Sequence, residues 1–182
     1  MIDLSKDLPD AVEVDGKSYL IKTDFREWLK FAEIIESGNA TPLDITYLFV
    51  DDIPPADFSN ALVEFYTNPN LVPNYNSDSN ERVLDYLIDS EYIYASFMAE
   101  YGIDLCDPNL KMHWHKFKAL LIGMKDDSKI KDIIATRSYT PSKKDPEKIA
   151  LENKRAWALP SKDSQIEDEE LEKLLDELFY NC

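Results

Sequence analysis

The apolar residues of this chain change their period once, just after residue 22, and that change confines the predicted β structure to the N-terminus. In "AVEVDGKSYLI", Asp15-Gly16 separates two short runs rich in β-branched and aromatic residues. Asp-Gly supplies both positive-φ positions of a type I′ turn, so the pattern predicts a hairpin over residues 12–22. From "TDFREWLKFAEIIESGN" onward the period is about 3.6. Asp24 is placed to cap a helix, with Glu27 three residues on as in a capping box. Phe25, Trp28, Leu29, Ala32 and Ile35 make its apolar stripe, and Gly38 offers its stop.

Helical spacing then continues. Thr41 and Pro42 open a short second helix that Pro54-Pro55 breaks, and Phe58, Leu62 and Phe65 mark a third. Residues 68–80, "NPNLVPNYNSDSN", form the clearest loop, which either divides two lobes or is an excursion of one domain. A long helix is predicted from "ERVLDYLIDSEYIYASFMAEYG", with Val83, Leu87, Ser90, Tyr94, Phe97 and Tyr101 as its seam and Gly102 as its end. Asp107-Pro108 is the expected cap of the next helix, which carries "KMHWHKFKAL" and ends near Gly123. A short helix follows Asp127 or Ser128, and a basic one starts near Asp145-Pro146. The last segment, residues 161–182, is a linker and an acidic helix with Ile166, Leu171, Leu174, Leu175, Leu178 and Phe179 on one face. That face needs cover, from this domain or from a partner. The expected fold is mainly α: a compact helical domain over residues 1–160 with a small N-terminal β-hairpin, and an acidic C-terminal amphipathic helix over 161–182.

Charge bears on partners. The net charge of −16 is unevenly distributed, because residues 111–155 hold 12 Lys/Arg against 6 Asp/Glu while residues 1–110 hold 6 against 22. An acidic body repels phosphate and argues against general nucleic-acid binding. The basic band, including Lys111, Lys118, Arg137, Lys143, Lys144 and Arg155, is positioned to pair with acidic flanks, within the chain or between copies. No apolar run reaches the ~18 residues of a membrane span, and the acidic start lacks the order of a secretory signal. Cys106 and Cys182 share no motif spacing and are expected as free thiols in a reducing cytoplasm.

Three chemical readings fail on the residues. His113 and His115 would share a face on a strand, but on a helix they lie about 200° apart and cannot grip one metal ion. The spacing of Leu110, Trp114, Phe117 and Leu121 favours the helix, so no metal is expected. Lys111, Lys116, Lys118, Lys125, Lys129 and Lys131 with Trp114 resemble a basic aromatic platform, yet Trp114 falls on the apolar seam and Asp126, Asp127 and Asp132 interrupt the lysines. With 4 glycines and no phosphate loop or nucleophile elbow, the chain is expected to be no enzyme and to take no cofactor. Asp51-Asp52, the best acidic pair, reads as a solvated turn before the prolines.

The order of segments carries a resemblance. Asp24–Leu29 (Asp-Phe-Arg-x-Trp-Leu), Tyr101–Leu105 (Tyr-Gly-Ile-Asp-Leu), His113–Leu121 and Ile133–Arg137 (Ile-Ile-x-x-Arg) resemble the "gene product fifteen" family of siphophages and prophages of Gram-positive bacteria, over roughly residues 12–160. The family commonly carries Trp where this chain has His115, and a position that accepts Trp is no required metal ligand. Gene order in that family, between the major tail protein and the tape-measure protein, implies a tail assembly chaperone. Such proteins coat the tape-measure protein in the host cytoplasm, often as homo-oligomers. A minor structural component of the virion is the alternative, and a regulatory nucleic-acid-binding protein a third. The apolar face of 166–179 and the basic band are the expected partner-binding elements.

Overall fold

In the computed structural model, which describes residues 5–67, 82–140 and 148–160, the hairpin forms as its turn dictates. Strand β1 (Ala11–Val14) pairs antiparallel with β2 (Lys17–Leu20), and Asp15 and Gly16 between them have φ of 51° and 74°. Alternation buries Val12, Val14, Tyr19 and Ile21. The backbone of residues 48–50 lies along the outer side of β2, where Val50 N–H donates to the Leu20 carbonyl at 3.1 Å.

Helix α1 (Phe25–Glu36) is capped by Asp24, whose Oδ1 accepts from the Arg26 N–H at 3.1 Å. Its buried residues are Phe25, Trp28, Phe31 and Ala32. Phe31 displaces Leu29 and Ile35, which are half-buried, because the buried arc turns toward the neighbouring rings of Trp28 and Tyr66. Gly38, at φ +76°, follows the helix end. The second predicted helix is 3₁₀ (Pro42–Leu48) and not α. Ile45 and Leu48, three apart, are its buried residues, which suits three residues per turn, and the Asp44 carboxylate closes its start on both the N–H and the hydroxyl of Thr41. Helix α2 (Ser59–Thr67) buries Leu62 and Phe65 as expected.

Helix α3 is shorter than its pattern predicts. It spans Ser90–Tyr101, preceded by a turn over residues 86–89, and it buries Ile93, Ser96 and Phe97. Leu87 is 67% exposed, so the seam through Val83, Leu87 and Ser90 does not exist. Asp89, fully buried, stands at the helix start, and its carbonyl accepts the Ile93 N–H at 2.9 Å. Gly102, at φ +64°, ends the helix. Helix α4 is Trp114–Ile122, α5 is Lys129–Ser138 and α6 is Lys148–Ala156. The described residues are therefore mainly helical, with one small hairpin.

The chain divides into two compact units, one of residues 1–79 and 86–132 and the other of 80–85 and 133–182. The core of the first is aromatic. Phe117 stacks on Phe25 at 5.0 Å and on Phe97 at 5.1 Å between centroids, and Trp28 stacks on Phe65 at 4.6 Å. The expected loop 68–80 and the acidic segment 161–182 lie outside the described residues.

Candidate functional site

Every α-helix ends with four carbonyls that lack intrahelical partners. In α2 these belong to residues 64–67, and side chains answer all four. The Thr67 hydroxyl donates to the carbonyls of Val63 and Glu64. The other three are met by α4. His115 Nε2 lies 2.9 Å from the Phe65 carbonyl, Trp114 Nε1 donates to Tyr66 at 2.9 Å, and Lys118 Nζ donates to both Tyr66 and Thr67 at 2.6 Å. The rings stack as they reach across: Tyr66 on Trp114 at 5.2 Å and 9°, Phe65 on His115 at 4.4 Å and 30°. Trp114 and Lys118 are four residues apart, so one helix face presents both. The ammonium also meets the negative end of the α2 dipole. Burial pushes its pKa down to about 8, which leaves it charged at neutral pH.

His113 is the cap of α4, not a residue within it, and Asp107-Pro108 is not the cap. Its backbone is extended (φ −64°, ψ 140°), and its Nδ1 accepts from the His115 N–H at 3.0 Å. Nε2 lies 2.8 Å from the Pro9 carbonyl. A carbonyl only accepts, so Nε2 carries the hydrogen and Nδ1 offers a lone pair to the helix. The extended backbone also cancels the expected 200° separation: the two imidazoles stand 5.0 Å apart, edge to face. Both nitrogens of His113 and Nε2 of His115 are committed to the backbone. Desolvation lowers the pKa of both rings, that of His115 to about 4. Among the described residues no group of three or more His, Cys, Asp or Glu is arranged to hold a metal ion.

The same logic recurs at Arg26. Its guanidinium donates to the carbonyls of Leu110 (3.0 Å), Leu105 (2.9 Å) and Asp107 (2.8 Å), pinning the irregular run between α3 and α4 onto α1. Trp28 Nε1 donates to the Lys22 carbonyl at 2.8 Å, and the Tyr101 hydroxyl to that of Leu120 at 2.8 Å. In the second unit Arg137, buried, donates from Nε to Trp157 (2.6 Å) and from NH1 to Val83 (3.2 Å).

Among the described residues, the predicted partner-binding residues are therefore of two kinds. Lys111 and Arg155 are exposed, as a docking band requires. Lys118 and Arg137 are buried on backbone carbonyls, so neither lies on the solvated side expected of it. Lys143, Lys144, Ile166, Leu171, Leu174, Leu175, Leu178 and Phe179 lie outside the described residues. Asp51 and Asp52 are exposed, with Asp52 4.0 Å from Lys17. The roles of His113 as cap and of Arg26 as staple were not read from the sequence. The signal available was the Trp114–Lys118 spacing, which puts a cation on the helix face that Trp114 turns toward the core.

Each of the four resembling segments thus places at least one side chain or turn in the scaffold: Asp24, Arg26 and Trp28; Tyr101 and Gly102; His113, Trp114 and Lys118; Arg137. These features define a mainly helical protein whose motif residues hold backbone ends. A family model described as "Bacteriophage Gp15 protein" matches residues 4–159, and the chain belongs to that family. No curated protein and no solved structure matches it.

Proposed function

We propose that this phage protein is a tail assembly chaperone, binding the tape-measure protein during long-tail morphogenesis in the cytoplasm of a Gram-positive host. It acts by binding and not by catalysis. Family membership carries the reading, because gene order in the resembling family points to the tape-measure protein as client. The charge and surface are compatible with that task. A net charge of −16 keeps a multi-copy assembly soluble. Exposed apolar side chains, Leu43 at 80%, Leu87 at 67% and Ile149 at 74% among them, offer contact without unfolding. No helix among the described residues is long and apolar enough to cross a membrane. Ile166, Leu171, Leu174, Leu175, Leu178 and Phe179, whose spacing predicts one apolar face, are the proposed arm, and Lys111, Lys143, Lys144 and Arg155 are the proposed band that receives an acidic helix from another copy.

Co-expression of the tagged chain with the tape-measure protein of the same phage tests this. The client is expected to co-purify, and finished virions are expected to lack the chain by mass spectrometry. Presence in virions with no tape-measure capture would make it a structural component instead. Deletion of residues 161–182 is expected to weaken both self-association and client capture, and unchanged values would remove the arm from the mechanism.

A further inference from the structure

We propose that the first turn of α4 is an acid-sensitive lock on the C-terminus of α2, held shut by the neutral form of His113. Two geometric facts carry this. The cap bond to the His115 N–H uses the Nδ1 lone pair of His113, and the other nitrogen is already committed to the Pro9 carbonyl. A proton arriving on the imidazole can therefore go only to Nδ1. It would turn the acceptor into a donor facing a donor, and place a positive charge at the positive end of the α4 dipole. The turn so uncapped carries Trp114 and His115, which hold the carbonyls of Tyr66 and Phe65. Loss of the cap thus reaches α2 directly.

The groups around His113 divide. Asp10, on the segment next to Pro9, favours the proton. Asp24, its partner across an isolated bridge, is engaged by the Arg26 N–H and lies 3.5 Å from the Arg26 guanidinium. From α2 the Phe65 ring faces it at 5.9 Å without charge. From α4 come the His115 ring at 5.0 Å and, beside that ring, the Lys118 ammonium. Burial outweighs Asp10, and the neutral ring is the favoured one in the fold.

The sign follows. Because both histidines hold folded pKa values below the ordinary 6.5, the unfolded or opened chain binds more protons as pH falls beneath 6.5. Closure is complete above that value and weakens below it, by up to about tenfold per pH unit for each histidine kept neutral. The chain contains two histidines, so NMR titration resolves both. The expected result is that both titrate below 6.5. Hydrogen-exchange protection of the His115 amide and the Trp114 indole N–H should also fall between pH 7 and pH 5, corrected for intrinsic rates. The Ile93 amide of α3, bonded to the Asp89 carbonyl, should keep its protection. His113→Asn caps without titrating and should remove His113's share of the pH dependence. The proposal is overturned if His113 titrates at or above 6.5, or if protection at the α4 start is equal at both pH values. The same holds if His113→Asn keeps the full wild-type slope. The wild-type measurements decide even if the variant fails to fold.

Discussion

Lys118 shows how misleading charge is as a guide to exposure at the level of one residue. Its (CH₂)₄ stem lies in the core, and its ammonium closes two carbonyls at the end of α2. Lys118→Met keeps the apolar stem and leaves the Thr67 carbonyl without its donor, so a loss of about 1–3 kcal/mol in urea unfolding is expected. Lys116→Met, two residues away on the exposed side, should stay within about 0.5 kcal/mol of wild type. Equal effects would mean that the Lys118 contact contributes nothing beyond a surface charge. His115 illustrates the complementary case. The resembling family's Trp has one indole N–H and His115 carries a hydrogen on Nε2, so both residue types provide a donor where the Phe65 carbonyl needs one. His115→Trp is expected to fold, with the Phe65 carbonyl still paired.

Among the elements, those with local signals were legible. The Asp15-Gly16 turn, the Asp24 cap, the stops at Gly38 and Gly102, and the burial of Trp114, Phe117 and Leu121 all follow from residues a few positions apart. What was not legible is set at long range. The start of α3 lies at Ser90, after the fully buried Asp89, and periodicity says nothing about that burial. Asp107-Pro108 has the form of a helix start, yet Asp107 caps a turn, accepting the Asn109 N–H at 2.9 Å, and its carbonyl is held by Arg26, 81 residues earlier. The run between α3 and α4 therefore depends on a side chain of α1. Arg26→Ala should raise the exchange rate of the Leu110 amide, which is bonded to the Asp107 carbonyl, while the Ile93 amide in α3 keeps its protection. Arg26→Lys should rescue little, because an ammonium lacks the planar fork that meets three carbonyls.

For the whole molecule, the division into two units means that stability need not be uniform along the chain. Arg137 joins the C-terminal part of α5 to Trp157 and Val83, all inside the second unit. Arg137→Met is expected to raise exchange across 82–85, 133–140 and 148–160 and to leave the amides beside Trp28 and Phe97 protected. A uniform rise over both units would show that they unfold as one. The contacts that hold these parts also share a chemical asymmetry: a distinctive side chain on one side and a main-chain carbonyl on the other. Any residue supplies a carbonyl, so these hydrogen bonds add no demand of their own on the identity of positions 65–67, 105, 107 and 157, whose side chains answer to other contacts such as the Phe65 and Tyr66 ring stacks. Selection at such a contact acts on the donor alone. Among relatives, pairwise coevolution should therefore miss the hydrogen bonds that Lys118 and Arg26 make to main-chain carbonyls, and report only side-chain neighbours such as Trp114 with Tyr66.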